Sequence, residues 1–412
     1  MEYGLIGEHL PHSFSKEIHE SLTDYTYELH EVAKDELDAF LKAKDFRAIN
    51  VTIPYKQDVI PYLDEISPSA ETIGAVNTIV NRGGRLYGDN TDQTGMKLLI
   101  RKLGLDLNGK KVLILGTGGT SRTAQYVVRS LGAAEIRTVS RSGKDGSITY
   151  AEAAEQHADA QIILNTTPSG MFPNPDAQAI DLRPFRKLEG VVDVVYNPLR
   201  TQLVRQALQL GLPAEGGLYM LVGQAVAAVE IFLDRKLEAD ALDRVFQKIL
   251  TGKENIVLTG MPGCGKTTVG KRLAKLLNRP LLELDQMIEA AAGMHPSEII
   301  RTRGETAFRD LESEIVARAS QETGCVISTG GGVILREENM RRLRANGRIY
   351  FIDRPLDAIH PTDDRPLSSD RAALEQRFRE RYPRYKATAD VIIPVRGYPK
   401  RVAEEIRKDF VK

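Results

Sequence analysis

Short apolar runs alternate along this chain with longer amphipathic stretches, the pattern of strands and helices layered around parallel sheets. The runs at 111–115, 161–164, 191–195, 256–259, 326–328 and 349–352 are predicted strands. The charged stretch 234–254 predicts a helix at its start that ends at Thr251-Gly252-Lys253, just ahead of a new strand–loop–helix unit, and this puts a domain boundary near residue 251. There is no internal repeat, heptad run or low-complexity segment. The Gly/Pro-rich pieces SGMFPNP (169–175) and GGG (330–332) read as functional loops.

Two unlike glycine-rich loops follow predicted strands. GTGGTSRTA (116–124) comes after KKVLIL and opens a predicted helix, an arrangement that aims backbone N–H groups at a dinucleotide pyrophosphate. Gly116 and Gly118 match the opening of G-x-G-x-x-G, and Gly119, Ser121 and Arg122 complete the loop. Ser121 stands at the third glycine position, so the spacing alone is equally that of a tight strand-to-helix turn. About 20 residues on, where a carboxylate would hold a ribose 2′-hydroxyl, the chain has Arg141 and Lys144, cations that suit the 2′-phosphate of NADP(H). The second loop, GMPGCGKT (260–267), follows NIVLT and carries a full G-x-x-x-x-G-K-T. Gly263, Cys264 and Gly265 wrap phosphate with backbone, Lys266 reaches the β and γ phosphates of ATP, Thr267 ligates Mg2+, and Thr268 extends the loop. Two cofactor classes imply two reactions.

Composition narrows the setting. A chain of 412 residues is too long for one core and suits two or three domains. Lys plus Arg equals Asp plus Glu at 56 each, so no global field favours nucleic acid or an anionic membrane, and anion binding has to be local. The longest apolar stretch, 218–233, contains Gln224 and Glu230 and is shorter than the roughly 20 residues a membrane span needs. Only Cys264 and Cys325 are present, and residues 1–7 do not read as a secretory leader. A reduced, cytoplasmic compartment is expected, with no nucleic-acid or membrane partner. His9, His12 and His19 have no zinc spacing and read as structural. Oligomeric state is open, a homodimer included.

Four further segments, GEHLPHSFS (7–15), NVTIPYK (50–56), GAVNT (74–78) and GDNTD (88–92), place small polar residues and one lysine at strand ends and turns. Each alone is ordinary turn chemistry. Together with the 116–124 loop, NTTPSGM (165–171), VYNPLRT (195–201) and GGLYMLVGQA (216–225), they resemble the shikimate dehydrogenase family over residues 1 to about 250. The resemblance implies a substrate and catalytic domain formed by 1–91 with 218–250, and a Rossmann-like NADP domain at 92–217. It implies that Lys56 and Asp92 are the catalytic pair, that Ser13 and Ser15 bind the substrate carboxylate, and that Thr52, Asn77, Asp92 and Gln224 hold ring hydroxyls beside Tyr196. An ammonium next to a ketone oxygen stabilises the charge that develops there on hydride transfer, and a carboxylate fixes that ammonium.

The second half is more sharply marked. LLELDQMIE (281–289), RGETAFRDLE (303–312), STGGGVI (328–334), DRPL (364–367) and RYPRY (381–385) resemble the shikimate kinase family over residues 254 to 412, within a P-loop NTPase-type parallel-sheet domain at 251–412. The resemblance implies that Asp285 orients the acceptor hydroxyl, that Arg309 and Arg381 take the substrate carboxylate with Gly330, Gly331 and Gly332 approaching closely, and that Arg365 on a lid reaches the phosphates. Where the family pattern is Asp-x-Asp the chain has Glu283-Leu284-Asp285, so Glu283, expected near Mg2+ through a water, is one methylene longer. The lid at 356–370 carries Asp363 and Asp364 with Arg365 as its phosphate-binding cation, which predicts weaker ATP binding. The two reactions would be reduction of 3-dehydroshikimate by NADPH and phosphorylation of shikimate by ATP. A regulatory sensor or scaffold that keeps one inactive site is the alternative.

Overall fold

The computed structural model describes residues 1–10, 13–359, 371–395 and 397–411. It divides into two compact units, Met1–Ile249 and Leu250–Lys412. Among the described residues the first unit holds two six-stranded sheets and the second holds one five-stranded sheet.

The first sheet comprises β1 (Tyr3–Gly7), β2 (Glu28–Glu31), β3 (Ala48–Val51), β4 (Glu65–Ile66), β5 (Thr78–Arg82) and β6 (Arg85–Asp89), in the order β2-β1-β3-β5-β6-β4. It is mixed: β5 runs antiparallel to both β3 and β6, because β5 and β6 are joined by the tight Gly83-Gly84 turn. The second sheet is parallel throughout: β7 (Lys111–Leu115), β8 (Glu135–Ser140), β9 (Ile148–Thr149), β10 (Ile162–Asn165), β11 (Gly190–Asp193) and β12 (Ala214–Glu215), ordered β12-β11-β10-β7-β8-β9. Strand order reverses between β7 and β10, and the carboxyl ends at such a switch point form the ligand crevice of doubly wound sheets. The third sheet, also parallel, has β13 (Asn255–Thr259), β14 (Leu281–Glu283), β15 (Val326–Ser328), β16 (Gly347–Asp353) and β17 (Val391–Pro394) in the order β14-β15-β13-β16-β17. Its central β13, Ile256, Val257 and Leu258, is wholly buried and feeds the second glycine loop.

Each predicted strand is present with ends shifted by at most a few residues. The stretch 234–254 differs from expectation. Its helix begins only at Ala241 and runs through Gly252 to Lys253. Asp234 sits at positive φ (49°) as the C-cap of the helix Leu218–Leu233, which halts helical structure there. The later start is anchored by Ala241, Val245, Phe246 and Ile249, buried at helical spacing. No described helix is long and apolar enough to cross a membrane.

Candidate functional sites

At the first site Lys56 Nζ donates to Asp92 Oδ2 at 2.5 Å, with side chains 20% and 12% exposed. Asp92 opens the helix Asp92–Lys102, where unpaired N–H groups and the helix dipole favour an anion. Asn77 Nδ2 donates to the other oxygen, Asp92 Oδ1, at 2.9 Å and contacts Gln224 Oε1 at 3.3 Å. Gln224 arrives on the helix Leu218–Leu233, which reaches the site because Gly95 leaves room: a Cβ there would lie 2.3 Å from Met220 O and 3.1 Å from Gln224 Cβ. Lys56, Asp92, Asn77 and Gln224 are therefore one contact group.

Ser15 is buried at the start of the helix Ser15–Leu22, and its N–H donates to Ser13 Oγ at 3.2 Å. Phe14, between them, packs on Tyr196 with ring centroids 5.2 Å apart. Thr52 follows β3, its N–H held by Ile6 O at 2.9 Å. Four residues without an assigned role, Thr91, Asn50, Thr78 and Tyr27, complete the network. Thr91 donates to Gln224 Oε1 and through its N–H to Asn77 Oδ1, while Asn50 donates to Asn77 O and accepts from Tyr27 Oη. Thr78 Oγ1 donates to Asn77 Oδ1 at 2.9 Å. All of them stand inside motifs already quoted, except Tyr27.

Gly116 leads from β7 into the helix Gly119–Ser130, and Gly118 caps that helix without any side-chain bond. A Cβ on Gly118 or Gly119 would meet nothing within 4 Å, so the loop is open where a pyrophosphate would approach. Ser121 is fully buried, and its Oγ has no partner. Arg122 is exposed with Nη1 near Gly74, and Arg141 is exposed just beyond β8. An open amide turn flanked by exposed guanidinium groups fits a phosphorylated dinucleotide. His19, by contrast, is structural: it is fully buried, stacked on Tyr27 at 3.9 Å, and bonded through Nδ1 to Tyr25 Oη at 2.8 Å. Burial pulls its imidazole down to about 3. His9 is exposed, and His12 lies outside the described residues.

The second site is a cavity of about 420 Å³ whose wall includes Gly263, Gly265, Lys266, Thr267 and Thr268 of the phosphate loop together with Asp285, Arg309, Arg381 and Gly330 to Gly332. Lys266 Nζ is held by Gly260 O at 2.8 Å and Met261 O at 3.1 Å. Cys264 is buried off that wall, and neither cysteine is in a disulfide. Arg309 bridges Glu312 Oε2 at 2.8 Å and Glu305 Oε1 at 3.0 Å. Burial opposes the Arg309 charge, but these two carboxylates outweigh it and hold the guanidinium above its ordinary range. Arg381 Nη1 donates to Gly331 O at 3.1 Å, and the Tyr385 hydroxyl donates to the same oxygen. Arg309 lies flat against Gly332, where a Cβ would come within 2.1 Å of Nη1.

Glu312, buried and with Oε1 lacking a partner, was not singled out within RGETAFRDLE; burial raises its carboxyl, and Asp285 adds to that. Arg377 and His295 also line the cavity without belonging to a quoted motif. Of the two residues expected at Mg2+, Thr267 is on the cavity wall and fits. Glu283, at the end of β14, pairs with Lys271 at 3.3 Å. Arg365, with Asp363 and Asp364, lies outside the described residues.

Comparison with known proteins follows this geometry. A shikimate dehydrogenase (NADP(+)) of Clostridium perfringens (strain SM101 / Type A) is 38% identical over 265 residues, covering 60% of this chain and 97% of that protein. The chain belongs to the shikimate dehydrogenase family. The family model for the shikimate dehydrogenase substrate binding domain matches residues 5–79, and that for shikimate kinase matches residues 262–410. The crystal structure of shikimate dehydrogenase 1 from Peptoclostridium difficile superposes with a TM-score of 0.56 at 36% identity, covering 60% of this chain and 98% of that one. A chorismate mutase/shikimate 5-dehydrogenase fusion from Clostridium acetobutylicum gives 0.57 at 33% identity, with 60% and 96% covered. The chain is thus an enzyme that joins an N-terminal shikimate dehydrogenase to a C-terminal shikimate kinase domain.

Proposed function

We propose that the chain carries out two consecutive steps on one molecule: NADPH-dependent reduction of 3-dehydroshikimate to shikimate, then ATP-dependent phosphorylation of shikimate to shikimate 3-phosphate. The observation that carries this is a single cavity wall running from Lys266 and Thr267 to Asp285, Arg309 and Arg381, in the same chain as a Lys–Asp pair set among amides and hydroxyls. The acceptor implied by the second site, a hydroxylated carboxylate, is the product implied by the first.

At the first site NADPH, when bound, supplies the hydride. Lys56 points its ammonium at the ketone oxygen and gives it a proton as the alcohol forms, and Asp92 keeps that ammonium aimed. Thr52, Asn77, Asp92 and Gln224 hold the ring hydroxyls, with Thr91 bonding Gln224 behind them, and Ser13 and Ser15 hold the carboxylate. Gly116 to Arg122 seat the pyrophosphate and Arg141 the 2′-phosphate.

At the second site ATP supplies the phosphoryl group, with Mg2+ neutralising charge between its phosphates. Thr267 would hold the metal and Lys266 the phosphates. Asp285 orients the attacking hydroxyl, while Arg381 and Arg309 clamp the carboxylate, the exposed Glu305 yielding its place on Arg309. Nucleotide preference tests the finer half of this reading. Reduction of 3-dehydroshikimate should run at least about tenfold more efficiently with NADPH than NADH, and Arg141→Ala should erase most of that gap. Equal use of both nucleotides by the parent chain would refute the NADP(H) assignment.

A further inference from the structure

In the dinucleotide sheet one carboxylate is fully buried, and among the described residues its oxygens are met by uncharged donors. Asp193, at the end of β11, accepts from Thr201 Oγ1 at 2.6 Å, Asn165 Nδ2 at 2.9 Å and the Val195 N–H at 3.0 Å, and all three side chains involved, Asp193, Asn165 and Thr201, are inaccessible. Burying an unpaired carboxylate is unfavourable unless its oxygens are met by donors, and an uncharged side chain of similar size avoids most of that cost. Burial pushes its carboxyl up to about 6 despite those three bonds.

The three donors lead to three different segments. Asn165 ends β10, and its Oδ1 accepts from Thr167 N at 3.1 Å and Thr167 Oγ1 at 2.7 Å, fixing the turn that walls the Gly116 loop: a Cβ on Gly116 would meet Thr166 Oγ1 at 2.9 Å. Val195 precedes Tyr196, and its carbonyl accepts from Gly217 N at 2.8 Å, the residue that caps the helix bearing Gln224. Thr201 caps the helix Gln202–Gln209 through Val204 N.

We propose that Asp193 is a positioning residue for the reduction: it locks the 165–167 turn beside the dinucleotide loop to the 194–197 segment and, through Val195 and Gly217, to the helix that carries Gln224. It touches neither cofactor nor substrate. Its work is to hold the cofactor-side wall and the substrate-side helix in one register, so that hydride donor and ketone meet at reacting distance. Asn cannot fully replace it, because an amide offers one acceptor oxygen where the three donors use two. This inference rests on residues 116–124 seating NADP(H).

The test is Asp193→Asn in the full chain, with NADPH binding read by nucleotide fluorescence and 3-dehydroshikimate reduction read separately as kcat and KM. The expected result is a kcat at least about tenfold lower with the NADPH dissociation constant within about threefold of the parent, because loop 116–122 keeps its own bonds while the reacting groups lose register. A parent-like kcat, or a loss of NADPH binding as large as the loss of turnover, would overturn the proposal. If Asp193→Asn does not yield folded dehydrogenase, Asn165→Ala frees the 165–167 turn and removes one of the three donors to Asp193 while leaving the other two; the same kcat-selective loss supports the proposal and a parent-like kcat overturns it. A parent chain that binds no NADPH would instead refute the dinucleotide reading itself.

Discussion

The two sites are built from different chemistry. Around Lys56 and Asp92 the contacts are amides and hydroxyls: Asn77, Gln224, Thr91 and Thr78 bond one another, and Lys56 with Asp92 is the ion pair at their centre. Around Asp285 the contacts are guanidinium groups, Arg309 and Arg381 on the wall with Arg377 beside them, and Arg309 is balanced by Glu312 and Glu305. Neutral hydrogen bonds discriminate hydroxyl patterns with modest binding energy, whereas charge-assisted bonds are about twice as strong. A reductase that must release its product gains from the first arrangement, and a kinase that must capture a scarce acceptor gains from the second.

The contrast breaks most sharply under exchange of the two lysines. Lys56→Ala should lower 3-dehydroshikimate reduction by about 10²-fold or more and leave phosphorylation of shikimate unchanged, and Lys266→Ala should do the reverse. Initial rates of NADPH oxidation and ADP release on the same preparations decide this, and loss of both activities from either change would contradict two separate sites. Next in size is Gly332→Ala. Its methyl would collide with the Arg309 guanidinium, so KM for shikimate in the kinase assay should rise about tenfold or more with reduction untouched. An unchanged KM would mean that Arg309 does not bind the acceptor.

Thr91→Val is the counterpart in the neutral network. It removes one donor to Gln224 and should raise KM for 3-dehydroshikimate by about three- to tenfold, since one uncharged bond is worth roughly 1 kcal/mol. A larger loss than that of Gly332→Ala would reverse the ranking of the two sites. The smallest effect is on stability. Buried His19 binds its proton far less readily folded, at about 3, than unfolded, at 6.5, so the unfolded chain takes up the proton first. Its stabilisation is complete above the unfolded value and is lost as pH falls from about 6.5 towards 3. Asp193 works the other way: its folded value of about 6 lies above 3.8, so its contribution falls as pH rises through that window. His19→Phe should therefore gain melting temperature on the parent as pH drops from about 7 to about 5; a constant difference would rule out a buried neutral imidazole.

Much of this was legible in sequence because backbone chemistry leaves local marks. GMPGCGKT announces β13, its loop and the helix Lys266–Leu277, since a phosphate turn needs glycine at fixed offsets. Lys56, Asp92, Asn77 and Gln224 were each nameable, yet their convergence depends on Gly95 letting two helices touch, a contact between residues more than a hundred positions apart. Glu312, Arg377 and Asp193 went unassigned for the same reason: a buried partner is defined by what surrounds it, and an isolated Glu, Arg or Asp reads as a surface charge. The helix starts at Ala241 and not at 234: charged residues at 234–240 suit a helix by composition, while the left-handed Asp234 stops one. The ion pair of Glu283 with Lys271 joins two elements and leaves no local mark in the sequence.

The proposed function has one chain run two steps in sequence on one molecule. The most direct measurement supplies the full chain with 3-dehydroshikimate and NADPH, adds Mg-ATP afterwards, and follows the carbon skeleton by mass. Shikimate should appear before Mg-ATP is added and shikimate 3-phosphate after it. Reduction without phosphoryl gain, or no reduction at all, would contradict the proposed function.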